Sequence, residues 1–267
     1  MIFRLTLFRL NFNYFFAKFD CSRMLKFITF FLITLNASAG DVLVAVAANF
    51  TAPMQRIAQE YQLDSGHQVS LSFGSTGSFY TQIKNGAPYE ILLSADDETP
   101  LKLERDGLAV IGTRFTYATG RLVLWSKQLG LVDANGEILR SNKFQKIAIA
   151  NPKLAPYGAA AIEVMTKMGV IKDLTSKLVQ GESIGQTYQF VATENARIGF
   201  VALSQISFNG QITQGSAWVV PKNYYNAIQQ DAILITKGRN NPAAISLLNY
   251  MKSDKIKTII KSYGYDF

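Results

Sequence analysis

Asp41-Val42-Leu43-Val44-Ala45-Val46-Ala47-Ala48-Asn49-Phe50-Thr51-Ala52-Pro53-Met54-Gln55-Arg56-Ile57 is the stretch on which the reading of this chain turns. Residues 41–47 are short, apolar and valine-rich at alternate positions, which predicts a buried strand. Met54, Ile57, Ala58 and Tyr61 then recur at helical spacing, so a helix follows at once. Pro53 suits its first turn, where a missing N–H costs nothing, and Thr51 is the candidate cap. The neutral turn Ala48-Asn49-Phe50 lies between strand and helix. A strand feeding a helix through such a turn aims free backbone N–H groups and the positive end of the helix dipole at one spot, and that spot suits an anion.

The same pattern recurs outward from there. Residues 69–73 alternate like a strand, Gly74-Ser75-Thr76-Gly77-Ser78 is a polar turn, and Phe79 and Ile83 mark a helix that stops at Asn85-Gly86. A third strand is expected over 90–95, and Asp96-Asp97-Glu98-Thr99-Pro100 opens a helix to about residue 107, its acids placed where the dipole favours them. The order βαβαβα argues for a parallel sheet covered by helices on both faces. Residues 115–126 are too long for a typical single strand and read as one that leaves a first sheet and enters a second. The middle of the chain repeats the logic: strand 146–151, turn 152–158, helix 159–168, helix 171–178, the turn Val179-Gln180-Gly181-Glu182-Ser183, helix 184–195 and strand 198–203. Strands over 217–221 and 232–236 and helices over 242–252 and 254–263 close the chain. Two similar α/β lobes facing each other would enclose a cleft at the carboxyl ends of their strands.

The first forty residues belong to another kind of segment. Met24-Leu25-Lys26, the apolar run 27–35 and Ala37-Ser38-Ala39 before Gly40 form a charged start, a short apolar core and a small-x-small cleavage site, the pattern of a secretory signal peptide. The run is too short to span a membrane, which takes about 20 residues. Residues 1–39 are therefore read as a leader cleaved near Ala39, with Met24 as the candidate start. The sole cysteine, Cys21, falls inside it, so the remainder has no disulfide, thiolate nucleophile or cysteine-ligated metal. The leader carries Arg4, Arg9, Lys18, Arg23 and Lys26 against Asp20, so half of the chain's formal +8 leaves with it. The remaining basic residues form no stripe with interleaved aromatics, which argues against nucleic-acid binding. A catalytic triad or a histidine metal site would have to run through His67, the only histidine, which sits in a Ser-Gly turn. No Gly-x-Ser-x-Gly elbow, His-x-x-x-His pair or phosphate-cradling Gly-x-x-x-x-Gly-Lys loop accompanies it. The reading is of a binding protein rather than an enzyme. Asp96-Asp97-Glu98 is best explained as a solvated helix start rather than a metal cluster.

Val46-Ala47-Ala48-Asn49-Phe50-Thr51, Phe73-Gly74-Ser75-Thr76-Gly77-Ser78, Asn85-Gly86-Ala87-Pro88, Ser94-Ala95-Asp96, the run from Tyr117 to Trp125 and Ile198-Gly199-Phe200-Val201-Ala202 resemble, in this order, the periplasmic molybdate-binding proteins of ABC importers. The resemblance covers the chain from Gly40 onward. It implies a two-lobed periplasmic-binding-protein fold of type II, with two mixed sheets flanked by helices and a hinge. Lobe 1 would take residues 40–119 and 228–267, and lobe 2 residues 120–227. It implies a monomer, exported to the periplasm, that closes on molybdate or tungstate and delivers it to a membrane permease, without any cofactor and with molybdenum held only as its oxyanion. Carried over by position, the ligand-binding residues fall on Ala48, Asn49, Ser75, Thr76, Tyr157 and the backbone of Ile184. Asn49 stands where many members have serine, so its amide would be the donor. Ala202 stands where some have a tyrosine, whose hydroxyl Tyr157 would replace. Glu90, usually aspartate, is expected to be structural.

All these candidates are neutral donors, and a dianion can be held by such groups without lysine or arginine. With no carboxylate among them to accept a proton, fully deprotonated tetrahedral anions should be preferred over hydrogen phosphate. The residues themselves leave sulfate open as an alternative to molybdate, and a secreted hydrolase on the same fold as a more distant one.

Overall fold

The structure is a computed structural model and describes residues 40–267. The leader, its cleavage site and Cys21 lie outside the described residues.

Strand β1 (Asp41–Ala47) runs into a 3-10 turn (Ala48–Phe50) and helix α1 (Thr51–Ser65) without a break. Met54, Ile57 and Tyr61 line one face of α1 and are buried against the first sheet, as their spacing requires. Thr51 is not the cap that its position suggests: its hydroxyl donates back to the carbonyl of Ala48 at 2.9 Å. Then follow β2 (Gln68–Gly74), α2 (Thr76–Lys84), β3 (Ile91–Leu93), α3 (Glu98–Arg105) and β4 (Phe115–Gly120). Glu90 leads into β3 and is structural here: its two carboxylate oxygens accept from the Leu43 N–H at 3.0 Å and the Asn241 side chain at 2.8 Å.

After Arg121 the chain enters a second sheet as β5 (Leu122–Ser126), so the long apolar run does cross from one sheet to the other. Strand β6 (Ile147–Ala150), α4 (Pro156–Lys167), α5 (Ile171–Leu174), β7 (Leu178–Gly181), α6 (Ile184–Ala192) and β8 (Ile198–Ala202) build it. The expected helix over 171–178 is in fact short, and a strand takes its end. Residues 178–180 are half-buried or exposed at the sheet edge, so they show no clean alternation to read. A small hairpin of β9 (Ser207–Phe208) and β10 (Gln211–Ile212) precedes β11 (Ser216–Val219), which completes the second sheet. The chain then returns to the first sheet as β12 (Ile228–Leu234) and ends in α7 (Pro242–Tyr250) and α8 (Asp254–Ser262).

The strand orders are β2-β1-β3-β12-β4 and β11-β5-β8-β6-β7. In each, four strands run the same way and one runs against them, β12 in the first sheet and β5 in the second. The sheets are therefore mixed, not the purely parallel kind that the βαβαβα order alone suggests, because β12 enters the first sheet antiparallel to both of its neighbours, β3 and β4. Each sheet is buried on both faces. Met54, Ile57, Leu247 and Ile260 cover one side of the first, and Phe79, Ile83 and Leu103 the other. Ala161, Val164 and Met165 cover one side of the second, and Val191 lies on the other. Among the described residues no helix is long and apolar enough to cross a membrane.

Candidate functional site

Register decides where the turns meet. Ala47 pairs with Gly74 at the end of β1 and β2, and Ala150 pairs with Gly181 at the end of β6 and β7. Each sheet thus ends two parallel neighbours at the same level, and each of those strands is followed by a helix start. The 3-10 turn at Ala48 and helix α2 start from the first pair; α4 and α6 start from the second. Carboxyl ends of parallel strands are where open α/β sheets place ligands. Here two such ends face each other.

Between them lies a hollow of about 10 Å³, lined by Ala48, Asn49, Ser75, Thr76, Tyr157 and Ile184 together with Ala47, Gly74, Ala95, Ala155 and Pro156. All six residues named from the sequence come together around it, and all six are buried. The volume is far below the roughly 300–1,000 Å³ typical of organic-ligand pockets, so the closed hollow has room for a ligand of a few atoms at most. No lining residue carries a charge.

The first N–H groups of a helix have no partner within it. At α4 the N–H groups of Gly158 and Ala159 turn back to the Ala155 carbonyl, which leaves Tyr157 N–H for the hollow. At α6 the Ser183 hydroxyl takes the Gln186 N–H at 3.3 Å, and the N–H of Ile184 at the first helical position stays free of the cap. At α2 the Gly77 N–H is spent on the Leu154 carbonyl of the opposite half at 2.9 Å. Thr76 Oγ1 accepts from the Ala95 N–H at 2.9 Å, so its own proton remains to be given. Ser75 and Ser78 share a hydrogen bond of 2.7 Å between their hydroxyls. Gly158 is required where α4 begins, because a Cβ there would run into the carbonyl oxygen of Ala150.

Two of these side chains find partners outside the hollow. The Tyr157 hydroxyl does not replace a missing tyrosine in the hollow: it accepts from Gln230 Nε2 at 3.1 Å, beside Gly120, where any side chain would collide with it. The Asn49 amide is likewise turned away, its Nδ2 donating to Gln230 Oε1 at 2.8 Å and to the Tyr265 hydroxyl at 2.9 Å. Its Oδ1 is buried and has no partner. Around these lie Tyr117, whose hydroxyl reaches Ser94 O and Gln230 Oε1 at 2.9 Å, and Ser204, which donates to the Asn49 carbonyl at 2.7 Å. Burial raises the pKa of Tyr117, Tyr157 and Tyr265, so all three hydroxyls stay neutral at ordinary pH. Gln205 adds a link under α6, bonding the Ala202 N–H and the Ile184 carbonyl. Sequence reading missed Gln230, Tyr265, Ser204 and Gln205. The available signal was Gln230 itself, an uncharged polar residue at what proves to be a fully buried position of β12.

Asp96 is not the solvated acid expected. Burial pushes its pKa up, and its carboxylate caps Thr99 N–H at 2.9 Å while accepting from the Ser94 hydroxyl. No cluster able to hold a metal ion occurs among the described residues. His67 Nδ1 accepts from the Gly40 N–H at 3.0 Å.

The sequence profile of the bacterial extracellular solute-binding proteins matches residues 42–266. The chain belongs to that family. Among the solute-binding proteins most similar to it is the molybdate-binding protein ModA of Azotobacter vinelandii, 54% identical over 248 residues, which span 93% of this chain and 98% of that one. ModA of Rhodobacter capsulatus is 48% identical over 233 residues, 87% of this chain and 91% of its own. In structure, the periplasmic molybdate-binding protein of Azotobacter vinelandii superposes with a TM-score of 0.82 and 41% identity, covering 85% of this chain and 99% of that one. The fold is that of the two-lobed periplasmic binding proteins.

Proposed function

We propose that this solute-binding protein is the extracytoplasmic receptor of an ABC importer, capturing molybdate or tungstate between its halves and handing it to a membrane permease. One observation carries the reading: helix starts from two different sheets converge on a small, buried, uncharged hollow. A tetrahedral dianion would be held there by backbone N–H groups of Asn49, Thr76, Tyr157 and Ile184, by the Thr76 and Ser75 hydroxyls, and by the helix dipoles behind them. The likeness to molybdate-binding proteins supports molybdate over sulfate. No carboxylate lines the hollow to accept the proton of hydrogen phosphate.

The chain crosses between sheets at Arg121 and again between β11 and β12, so residues 40–119 with 228–267 and residues 120–227 serve as two lobes hinged there. The hollow is shut by contacts such as Gly77 N–H to Leu154 O, so loading and release require the lobes to part. The work is binding and release rather than catalysis. It is done by a monomer in the periplasm after cleavage near Ala39, and no cofactor takes part. Calorimetric titration of the purified protein with sodium molybdate, tungstate, sulfate and phosphate tests this reading. Tight binding of molybdate and tungstate with weak sulfate and no phosphate binding is expected; tight sulfate binding without preference for molybdate would replace it with a sulfate receptor.

A further inference from the structure

The buried Asn49 Oδ1 poses a problem for an anion site. Asn49 lines the hollow, its amide nitrogen is taken up on the other side by Gln230 and Tyr265, and the remaining side-chain atom is an unpartnered acceptor. An acceptor facing a dianion repels it, and a buried acceptor with no donor carries a desolvation cost of about 1–3 kcal/mol. The nitrogen and oxygen of an amide have nearly the same shape, so which one faces which way is decided by the hydrogen bonds available.

We propose that Gln230 is a positioning residue for the anion: in the loaded protein the amides of Gln230 and Asn49 are both turned by 180°, so that Asn49 Nδ2 faces the hollow as a donor. The exchange only swaps nitrogen and oxygen within each amide and leaves the other heavy atoms in place. Asn49 Oδ1 then accepts from Gln230 Nε2 across the 2.8 Å contact and from the Tyr265 hydroxyl across the 2.9 Å contact, the tyrosine proton leaving the Asn49 carbonyl to the Ser204 hydroxyl that donates to it at 2.7 Å. The second Gln230 Nε2 proton goes to the Tyr117 hydroxyl, which itself donates to the Ser94 carbonyl. Gln230 Oε1 accepts from the Tyr157 hydroxyl. The unpartnered acceptor disappears, and two N–H donors replace it on the hollow side. Tyr157 belongs to α4 on the second sheet and Gln230 to β12 on the first, so the relay that aims Asn49 is complete only when both halves are together. A bulge in β12 between Gln230 and Asp231 re-aims this side chain into the cluster.

The inference rests on the oxyanion reading above, and its test separates the two. In nitrogen-15 spectra of the purified protein titrated with sodium molybdate, the Asn49 side-chain NH2 signals should shift together with the backbone N–H signals of Tyr157 and Ile184. Gln230→Met, neutral and of similar length, should lose the Asn49 side-chain shift, keep the backbone shifts and bind molybdate roughly tenfold more weakly. Tyr157→Phe, which deletes only the hydroxyl of the relay, gives the same comparison should the methionine variant fail to fold. Backbone shifts with no response from the Asn49 NH2, or affinity in both variants equal to the parent's, would overturn the role of Gln230. Binding of hydrogen phosphate as tight as molybdate would also overturn it, because that ion needs the acceptor orientation. Absence of any backbone response would instead sink the oxyanion reading itself.

Discussion

Thr76 offers a single hydroxyl to both the fold and the proposed ligand. Its oxygen accepts from the buried Ala95 N–H at 2.9 Å, and its proton is left for the hollow. Thr76→Ala should lower stability by about 1–3 kcal/mol by orphaning that N–H, and should weaken molybdate binding by about 1.5–3 kcal/mol, the worth of a hydrogen bond to a charged group. Thr76→Ser keeps both hydrogen bonds and should bind like the parent; thermal melts and calorimetry on the pair check this. At this scale the sequence was legible where turns line the hollow. Ala48, Asn49, Ser75 and Thr76 stand between strand and helix signals, and resemblance placed Tyr157 and Ile184. It was not legible for the direction of side chains. Whether Asn49 points its amide at an anion depends on Gln230 and Tyr265, which lie 181 and 216 residues away in sequence. Nothing local to Asn49 records them.

Elements carry the site through their starting points. Helix α4 begins at Pro156, inside what the sequence suggested was still a turn, because Pro fits the first helical position and its neighbours Ala155 and Tyr157 are buried. That earlier start puts Tyr157 N–H among the free donors of the first turn. Gly158→Ala should push α4 away from the Ala150 carbonyl, lowering the melting temperature and reducing molybdate affinity by at least tenfold. An unchanged affinity would mean that the α4 start is not a donor. Strand β7 was lost in the sequence reading because its exposed edge lacks alternation, whereas β1 and β8 were plain because buried strands read as continuous apolar runs.

At the scale of the whole molecule, the two sheets repeat one plan, four strands in one direction with a single antiparallel strand among them, and the chain crosses between them twice. The crossing was readable from the excessive length of 115–126; the mixed character was not readable from the βαβαβα order, because β12 arrives from the far end of the chain. The tyrosine cluster at the junction also sets a pH dependence. Burial raises the pKa of Tyr117, Tyr157 and Tyr265 above the unfolded value of about 10. Their contribution to stability is therefore complete below about pH 10 and is lost as pH rises past it, because the unfolded chain releases protons that the folded one retains. Thermal melts should show no loss from this cluster between pH 7 and 9 and a decline above about pH 10. Molybdate affinity should be flat over pH 7 to 9, since no lining group titrates there.

The central claim is that neutral donors at helix starts from both halves hold the ion. Anomalous diffraction at the molybdenum edge, from crystals grown with sodium molybdate, tests it most directly. A single molybdenum peak in the hollow, its oxygens within hydrogen-bond distance of Asn49, Thr76, Tyr157 and Ile184, is the predicted result. A peak at a lysine or arginine side chain, with none between the four helix starts, would contradict it.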